Sequence, residues 1–254
     1  MKNIALIACT NGYGHIRRLL YISQSFKRKN IQPFLFAPEK VTRYLGKKFG
    51  IKLPIIIDFD TQTKIDDWKN GRASDWINKI EDLSEFDSVL SDNLIDVLIL
   101  RPDAWLSGNF LWHEVLSGIS RSYSQRARSL LEAYEPNLLT YGGFSAVNDI
   151  NNLQITECAI PNPIINQSEV LKDSLLITSG TGGEAESSFR DFVKSLTKDT
   201  IKPFSQVFVE PSLVPQDCKS WMLPASFTAN MFCKTLVAIC RPGFGILSDC
   251  LLYN

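Results

Sequence analysis

The chain has 254 residues, of which 44% are hydrophobic and 21% charged, the ordinary composition of a globular protein. Its 27 Lys and Arg balance 27 Asp and Glu, so bulk charge points neither to nucleic acid nor to an acidic partner. No run of about 18 apolar residues is present to span a membrane, and the apolar start is too brief for a signal peptide, running straight into a Gly-rich turn.

In chain order, residues 3–9 read as a compact apolar strand, and residues 14–29 as a helix whose Ile16, Leu19, Leu20, Ile22 and Phe26 form an apolar stripe. Residues 32–37 are a second strand, and a basic helix over 41–48 precedes a third at 53–58. The polar stretch 64–83, with Trp68, Trp76 and Ile80, reads as a helix interrupted near Gly71. A short strand at 86–90 ends at Ser91-Asp92-Asn93. Another strand at 105–111 precedes a long helix at 114–134, and a strand at 137–141 closes this half. After a stretch with few periodic signals, around Ile160-Pro161-Asn162-Pro163, the pattern restarts. A strand at 174–178 leads through Ser179-Gly180-Thr181-Gly182-Gly183 into a helix at 184–196, and strands follow at 206–209, 221–223 and 236–240. The last of these reads as buried and feeds a helix at 246–253.

This alternation predicts an α/β protein with two Rossmann-like domains of mostly parallel sheet covered by helices on both faces. Residues 1–160 form the first domain, 161–173 the linker and 174–254 the second. Each half begins strand, Gly-rich turn, helix, a repeat of architecture without close sequence repeat. At 81 residues (254 − 174 + 1) the second half is short against the roughly 100–150 of a common domain, so the expectation is an incomplete, C-terminally truncated domain. Six cysteines at 9, 158, 218, 233, 240 and 250 lack metal-ligand spacing and predict buried free thiols in a reducing compartment, the cytoplasm.

Residues 241–249, Arg-Pro-Gly-Phe-Gly-Ile-Leu-Ser-Asp, carry the sharpest chemistry. An apolar strand, a Gly-rich turn and a helix N-terminus make a phosphate site, because glycines admit a diphosphate to the backbone and free N–H groups favour its charge. Asp249 lies one helical turn further in, where a carboxylate accepts from sugar hydroxyls.

Asn11-Gly12-Tyr13-Gly14-His15 resembles the Gly-x-Gly-His loop of nucleotide-sugar glycosyltransferases with the two-domain GT-B fold, and Arg241 through Asp249 resembles their C-terminal donor motif. The pattern is similar to that of the branch holding the bacterial N-acetylglucosaminyltransferase of peptidoglycan lipid synthesis and related UDP-glycosyltransferases. The resemblance implies a glycosyltransferase that moves a sugar from a UDP-sugar donor to a hydroxyl acceptor, inverting and independent of metal or other cofactor. It implies that His15, next to an acceptor-side loop of Asn11, Gly12 and Gly14, is the base that deprotonates the acceptor. An imidazole with an unperturbed pKa of about 6.5 suits that task. Asp92 is the candidate carboxylate that orients it. Gly182, Gly183, Gly243, Phe244 and Gly245 would supply backbone donors to the diphosphate, Arg241 a phosphate or domain contact, and Asp249 a ribose contact. That branch has Glu where Asp249 stands. The missing methylene retracts the carboxylate by roughly 1.5 Å, and a lost charged hydrogen bond costs about 1.5–3 kcal/mol.

Plainer roles compete with these. Asp92 also suits a helix N-cap, His113 a packed histidine, and Gly180, Gly182 and Gly183 a flexible turn. Arg17, Arg18, Lys27, Arg28, Lys29, Lys47 and Lys48 suit solvated helix faces, with peripheral contact to anionic lipid as the alternative. Two other functions stay open: a UDP-sugar 2-epimerase on the same fold, which needs more cleft carboxylates and histidines than this chain's 2 His offer, and a non-catalytic or split transferase completed by a partner chain. The last predicts an exposed apolar sheet edge near 236–240.

Overall fold

Four consecutive residues, Ala5, Leu6, Ile7 and Ala8, have no exposed area. They form the end of β1 (Lys2–Ala8), and a strand buried on both faces is what an uninterrupted apolar run builds in a parallel sheet. The computed structural model describes residues 2–27, 29–141, 153–158, 172–180, 186–198, 204–241 and 243–252. The chain divides into two compact units, Met1–Ile160 and Pro161–Asn254.

In the first unit β1 lies between β2 (Ile31–Ala37) and β4 (Ser88–Asp92), and β3 (Ile55–Asp58), β5 (Trp105–Ser107), β6 (Leu138–Tyr141) and β7 (Ile155–Cys158) complete a seven-stranded sheet. Its order is β3-β2-β1-β4-β5-β6-β7, with every pairing parallel. Alternate residues of β1 feed opposite core layers. Ala5 and Ile7 pack with Phe36, Trp68, Val89 and Leu106 on one face. Leu6 and Ala8 pack with Leu35, Leu45 and the Ile16, Leu19, Leu20 stripe of α1 (Tyr13–Lys27) on the other. Helix α2 (Glu39–Phe49) follows β2.

In the second unit β8 (Ser174–Thr178), β9 (Gln206–Val209), β10 (Met222–Pro224) and β11 (Thr235–Cys240) form a parallel sheet of order β10-β9-β8-β11. Counted within each unit, both sheets run third, second, first, fourth strand. The predicted architectural repeat is therefore a repeat of topology. Leu175, Ile177, Val207 and Val209 fill one core with Val193 of the helix Glu186–Lys198, which follows β8.

Several expectations need correction. The strand expected over 105–111 stops at Ser107, because Gly108 begins a turn so tight that a Cβ there would lie 2.9 Å from the Phe110 carbonyl oxygen. The single helix expected over 114–134 is two, α4 (Trp112–Val115) and α5 (Arg121–Tyr134), with the Ser117-Gly118 turn between them. The polar stretch 64–83 holds only a short helix, α3 (Ile65–Lys69), and a 3₁₀ turn, Asp75–Asn78. Strand β7 and a helix at Ala229–Lys234 escaped the periodicity altogether, each too short to show a pattern. The run expected as a buried strand, β11, is the outer strand of its sheet: Leu236, Val237 and Ile239 are 56%, 42% and 37% exposed.

The expectation of buried thiols holds for Cys9, while Cys218 is exposed and Cys233, Cys240 and Cys250 are half-buried; all five are free, and the Cys158 side chain lies outside the described residues. Burial pushes the Cys9 thiol up to about 12. The thiolate is the reactive species, so Cys9 has almost none at pH 8. Iodoacetamide at pH 8 should alkylate Cys218 readily and Cys9 only after denaturation, as read by peptide mass spectrometry. Equal labelling of both in the native protein would contradict this burial.

Candidate active site

In the first sheet β1 is the strand at which the order reverses: β2 is added on one side and β4 on the other. The loops leaving the two central strands diverge there, which opens a crevice at their carboxyl ends, the place where open α/β sheets bind ligands. Ala8 and Asp92 are register partners at those ends, and Asp92 in turn pairs with Ser107 of β5. Asp92 is therefore the last residue of β4, with no exposed area, and not the cap of a following helix.

The chain leaves β1 through residues 9–12, and this loop is sewn to the loop after β3. Thr61 Oγ1 donates to the Ala8 carbonyl (2.7 Å) and accepts from the Thr10 N–H (3.1 Å). The Asn11 amide donates to the Thr63 carbonyl (2.8 Å) and accepts the Thr63 N–H (3.0 Å). Asn11 thus acts as a strut, a role that sequence spacing did not reveal. Gly12 accepts the His15 N–H at 3.4 Å as α1 begins, and a Cβ at Gly14 would meet no atom within 4 Å, so that side of the turn is open. One Asp-x-Asp triplet, Asp58-Phe59-Asp60, lies at the end of β3. Asp58 Oδ1 accepts the Glu39 N–H (2.8 Å), and Asp60 Oδ1 accepts from Thr10 Oγ1 (2.5 Å) and the Gln62 N–H (2.9 Å). Among the described residues no cluster of three or more His, Cys, Asp or Glu is placed to hold a metal ion.

His15 is the third residue of α1 and points at the end of β4. Its Nδ1 lies 3.4 Å from Asp92 Oδ1. One helical turn on, Arg18 Nε lies 3.3 Å from Asp92 Oδ2. His15, Arg18 and Asp92 are 9%, 3% and 0% exposed. Phe110 meets the imidazole edge-on at 6.4 Å between centroids, and Trp112 lies tilted at 6.3 Å. Asn93 holds this wall. In the left-handed conformation (φ 61°) that asparagine tolerates, it accepts the Trp112 N–H with Oδ1 (3.2 Å) and donates its own N–H to the Ser107 carbonyl (2.8 Å). Arg18, Asn93, Phe110 and Trp112 were not foreseen as site residues. The one available signal was the His15-to-Arg18 spacing, which puts both side chains on one helix face. His113 is buried in α4, and its carbonyl accepts from Ser124 Oγ at 2.6 Å. Part of the basic set rests on aromatic rings: the Arg17 guanidinium lies 4.9 Å from the Phe49 centroid and Lys48 Nζ 5.7 Å from that of Tyr44. Arg28 and the Lys27 side chain lie outside the described residues.

In the second unit the order reverses at β8, between β9 and β11. Beyond β8 the chain turns through Ser179 and Gly180, whose φ of 70° suits glycine. The donors of this turn converge on one carboxylate oxygen, Glu210 Oε2. It accepts from Thr178 Oγ1 (2.8 Å), the Ser179 N–H (2.7 Å), Ser179 Oγ (3.1 Å) and the Gly180 N–H (3.2 Å). The turn is an anion nest that already holds an anion. Gly182 and Gly183 lie outside the described residues. The Arg241 N–H donates to the Thr178 carbonyl (3.2 Å), tying the turn after β11 to the end of β8, and the exposed Gly243 N–H closes back on the Arg241 carbonyl (2.7 Å). The final helix, Phe244–Leu252, begins there. It includes Gly245 and carries Asp249 on its buried side, 6% exposed.

No family model and no curated protein matches the sequence. Solved structures do match in fold. The spinosyn rhamnosyltransferase SpnG complexed with thymidine diphosphate superposes with a TM-score of 0.61 at 12% identity, over 98% of this chain and 77% of that one. The calicheamicin glycosyltransferase CalG4 gives 0.57 at 12% identity, over 100% and 78%. MurG of Acinetobacter baumannii gives 0.50 at 12% identity, over 100% and 76%. The chain has the fold of the GT-B glycosyltransferases, two Rossmann-like parallel-sheet units.

Glu210→Ala removes the acceptor of four hydrogen bonds and should destabilise the protein by about 1–3 kcal/mol. Glu210→Gln, which keeps an acceptor oxygen, should cost less. Urea unfolding checks both, and equal midpoints for wild type and Glu210→Ala would refute the role of Glu210 as anchor of this turn.

Proposed function

We propose that the chain is a glycosyltransferase that moves a sugar from a UDP-sugar to a hydroxyl acceptor with inversion at the anomeric carbon and without a metal. The observation that carries the reading is the buried His15–Asp92 pair at the topological switch point of the first sheet. With Nδ1–H directed at Asp92, Nε2 is the atom open to an acceptor. The 3.4 Å contact is long, as catalytic hydrogen bonds often are before substrate tightens them.

The reaction needs four coordinated events. Nε2 takes the acceptor proton, the acceptor oxygen attacks the anomeric carbon, the carbon–oxygen bond to the diphosphate breaks, and UDP leaves with the bonding pair. Asp92 stabilises the imidazolium so formed. In the second unit the donors of the β8 turn are taken by Glu210, and the Arg241 and Gly243 N–H groups by carbonyls, so the diphosphate is assigned to the N-terminus of the helix Phe244–Leu252. Charge on the departing diphosphate is then met by backbone dipoles. Asp249 is assigned to the ribose. The free thiols support a reducing compartment, the cytoplasm.

A second reading has one observation in its favour. The exposed Leu236, Val237 and Ile239 on the outer strand β11 suit covering by further protein, as in a transferase completed by a partner chain. Sedimentation of the protein from its source cells separates the two, since a stable heteromer of defined mass would favour the second.

His15→Ala should lower kcat for UDP release by roughly 10²- to 10⁴-fold while UDP binding is kept, and Asp92→Asn should lower it in the same direction. Coupled UDP detection over a panel of UDP-sugars and hydroxyl acceptors reads both. Unchanged turnover in His15→Ala with binding intact would remove His15 as the base. Turnover should also persist in EDTA, and its loss there would overturn metal independence.

A further inference from the structure

We propose that Arg18 is a positioning residue for His15, acting through Asp92. The two oxygens of one buried carboxylate are divided, Oδ1 to His15 Nδ1 at 3.4 Å and Oδ2 to Arg18 Nε at 3.3 Å. A carboxylate without exposed area is costly unless a countercharge and directed donors meet it. The imidazole supplies a countercharge only when protonated, whereas the guanidinium supplies one always. Arg18 therefore keeps Asp92 in place through the part of a catalytic cycle in which His15 is neutral. Its charge beside Oδ2, an ion pair rather than a hydrogen bond, favours the carboxylate rotation in which Oδ1 faces the imidazole. The consequence for His15 is a choice of tautomer: Nδ1 carries the proton and Nε2 is left as the acceptor atom.

The geometry comes from one helix and one strand. His15 and Arg18 are three residues apart on α1 and face the end of β4 together. Among the described residues, the rings of Phe110 and Trp112, which carry no charge, meet the imidazole, and the buried thiol of Cys9, just after β1 and near Asp92 and Arg18, stays neutral. Asp92 and Arg18 are thus the charged partners that bias the ring. Its catalytic consequence rests on the reading of His15 as acceptor base; its geometric content does not.

The test uses the full chain labelled with ¹⁵N, in which long-range ¹H–¹⁵N spectra report the tautomer and titration of each imidazole. The chain has 2 His, so His113→Gln assigns the spectrum. In the wild type, His15 should show a protonated Nδ1 and a bare Nε2. In Arg18→Met that signature should give way to a mixture of tautomers, with a displaced titration midpoint. Turnover should fall by roughly tenfold or more with a shifted pH profile, and Arg18→Lys, which restores the charge, should recover part of both. If Arg18→Met does not fold, Arg18→Gln is read in the same way. A folded Met or Gln variant with the wild-type tautomer and midpoint would overturn the proposal, even in an active transferase. A changed tautomer in a protein that never transfers a sugar would leave the positioning role standing and defeat the transferase reading instead.

Discussion

The strand order reverses at β1, and the site depends on that reversal. A parallel sheet built outward from a central strand sends one loop to each side at the carboxyl end of that strand, and no crossover covers the gap between them. Into this gap the chain puts the N-terminus of α1 from one side and the last residue of β4 from the other. The Ala8–Asp92 register pairing sets the depth of the carboxylate, and the loop held by Thr61 and Asn11 sets the entry of the helix that carries His15 and Arg18. The second sheet repeats the arrangement around β8.

What fills the gap differs between the units, and the difference is electrostatic. The first holds a carboxylate between an imidazole and a guanidinium, all three nearly without contact with water. Such a group adds little to stability, because desolvation offsets most of the Coulomb attraction. A buried group that adds so little to stability, placed at the switch point of the sheet, argues for a use. The second holds backbone and hydroxyl donors converging on the Glu210 carboxylate, a place shaped for negative charge. A buried imidazole–carboxylate pair thus stands at one switch point, and a turn of donors closed on a carboxylate at the other.

Much of this was legible in the chain. Long apolar runs marked β1, β2, β8 and β9, the stripe from Ile16 to Phe26 marked α1, and the spacing of Gly12, Gly14 and His15 marked the first turn. Short elements were less legible: β5 was expected to run on to residue 111, and the four-residue helix Trp112–Val115 and the 3₁₀ turn at Asp75–Asn78 span about one period, too little to show a repeat. Nor could periodicity foresee that the apolar run at β11 sits on a sheet edge, since an edge strand and a central one read alike until neighbours are known.

The sequence alone carried the class of fold and the repeat of strand, Gly-rich turn and helix in each half, because these rest on local residue choice and spacing, while the candidates His15 and Asp92 came from the resemblance of the first turn to a family loop. The tertiary structure decided which groups meet. Residues 77 positions apart come within 3.4 Å only because β1 and β4 pair in one register. Arg18 joins them because a helix turn aligns i and i+3. Glu210 closes on the Ser179-Gly180 turn because β9 runs beside β8. Each of these depends on where a strand stops relative to its neighbour, a quantity set by packing across the whole sheet and carried by no short stretch of chain.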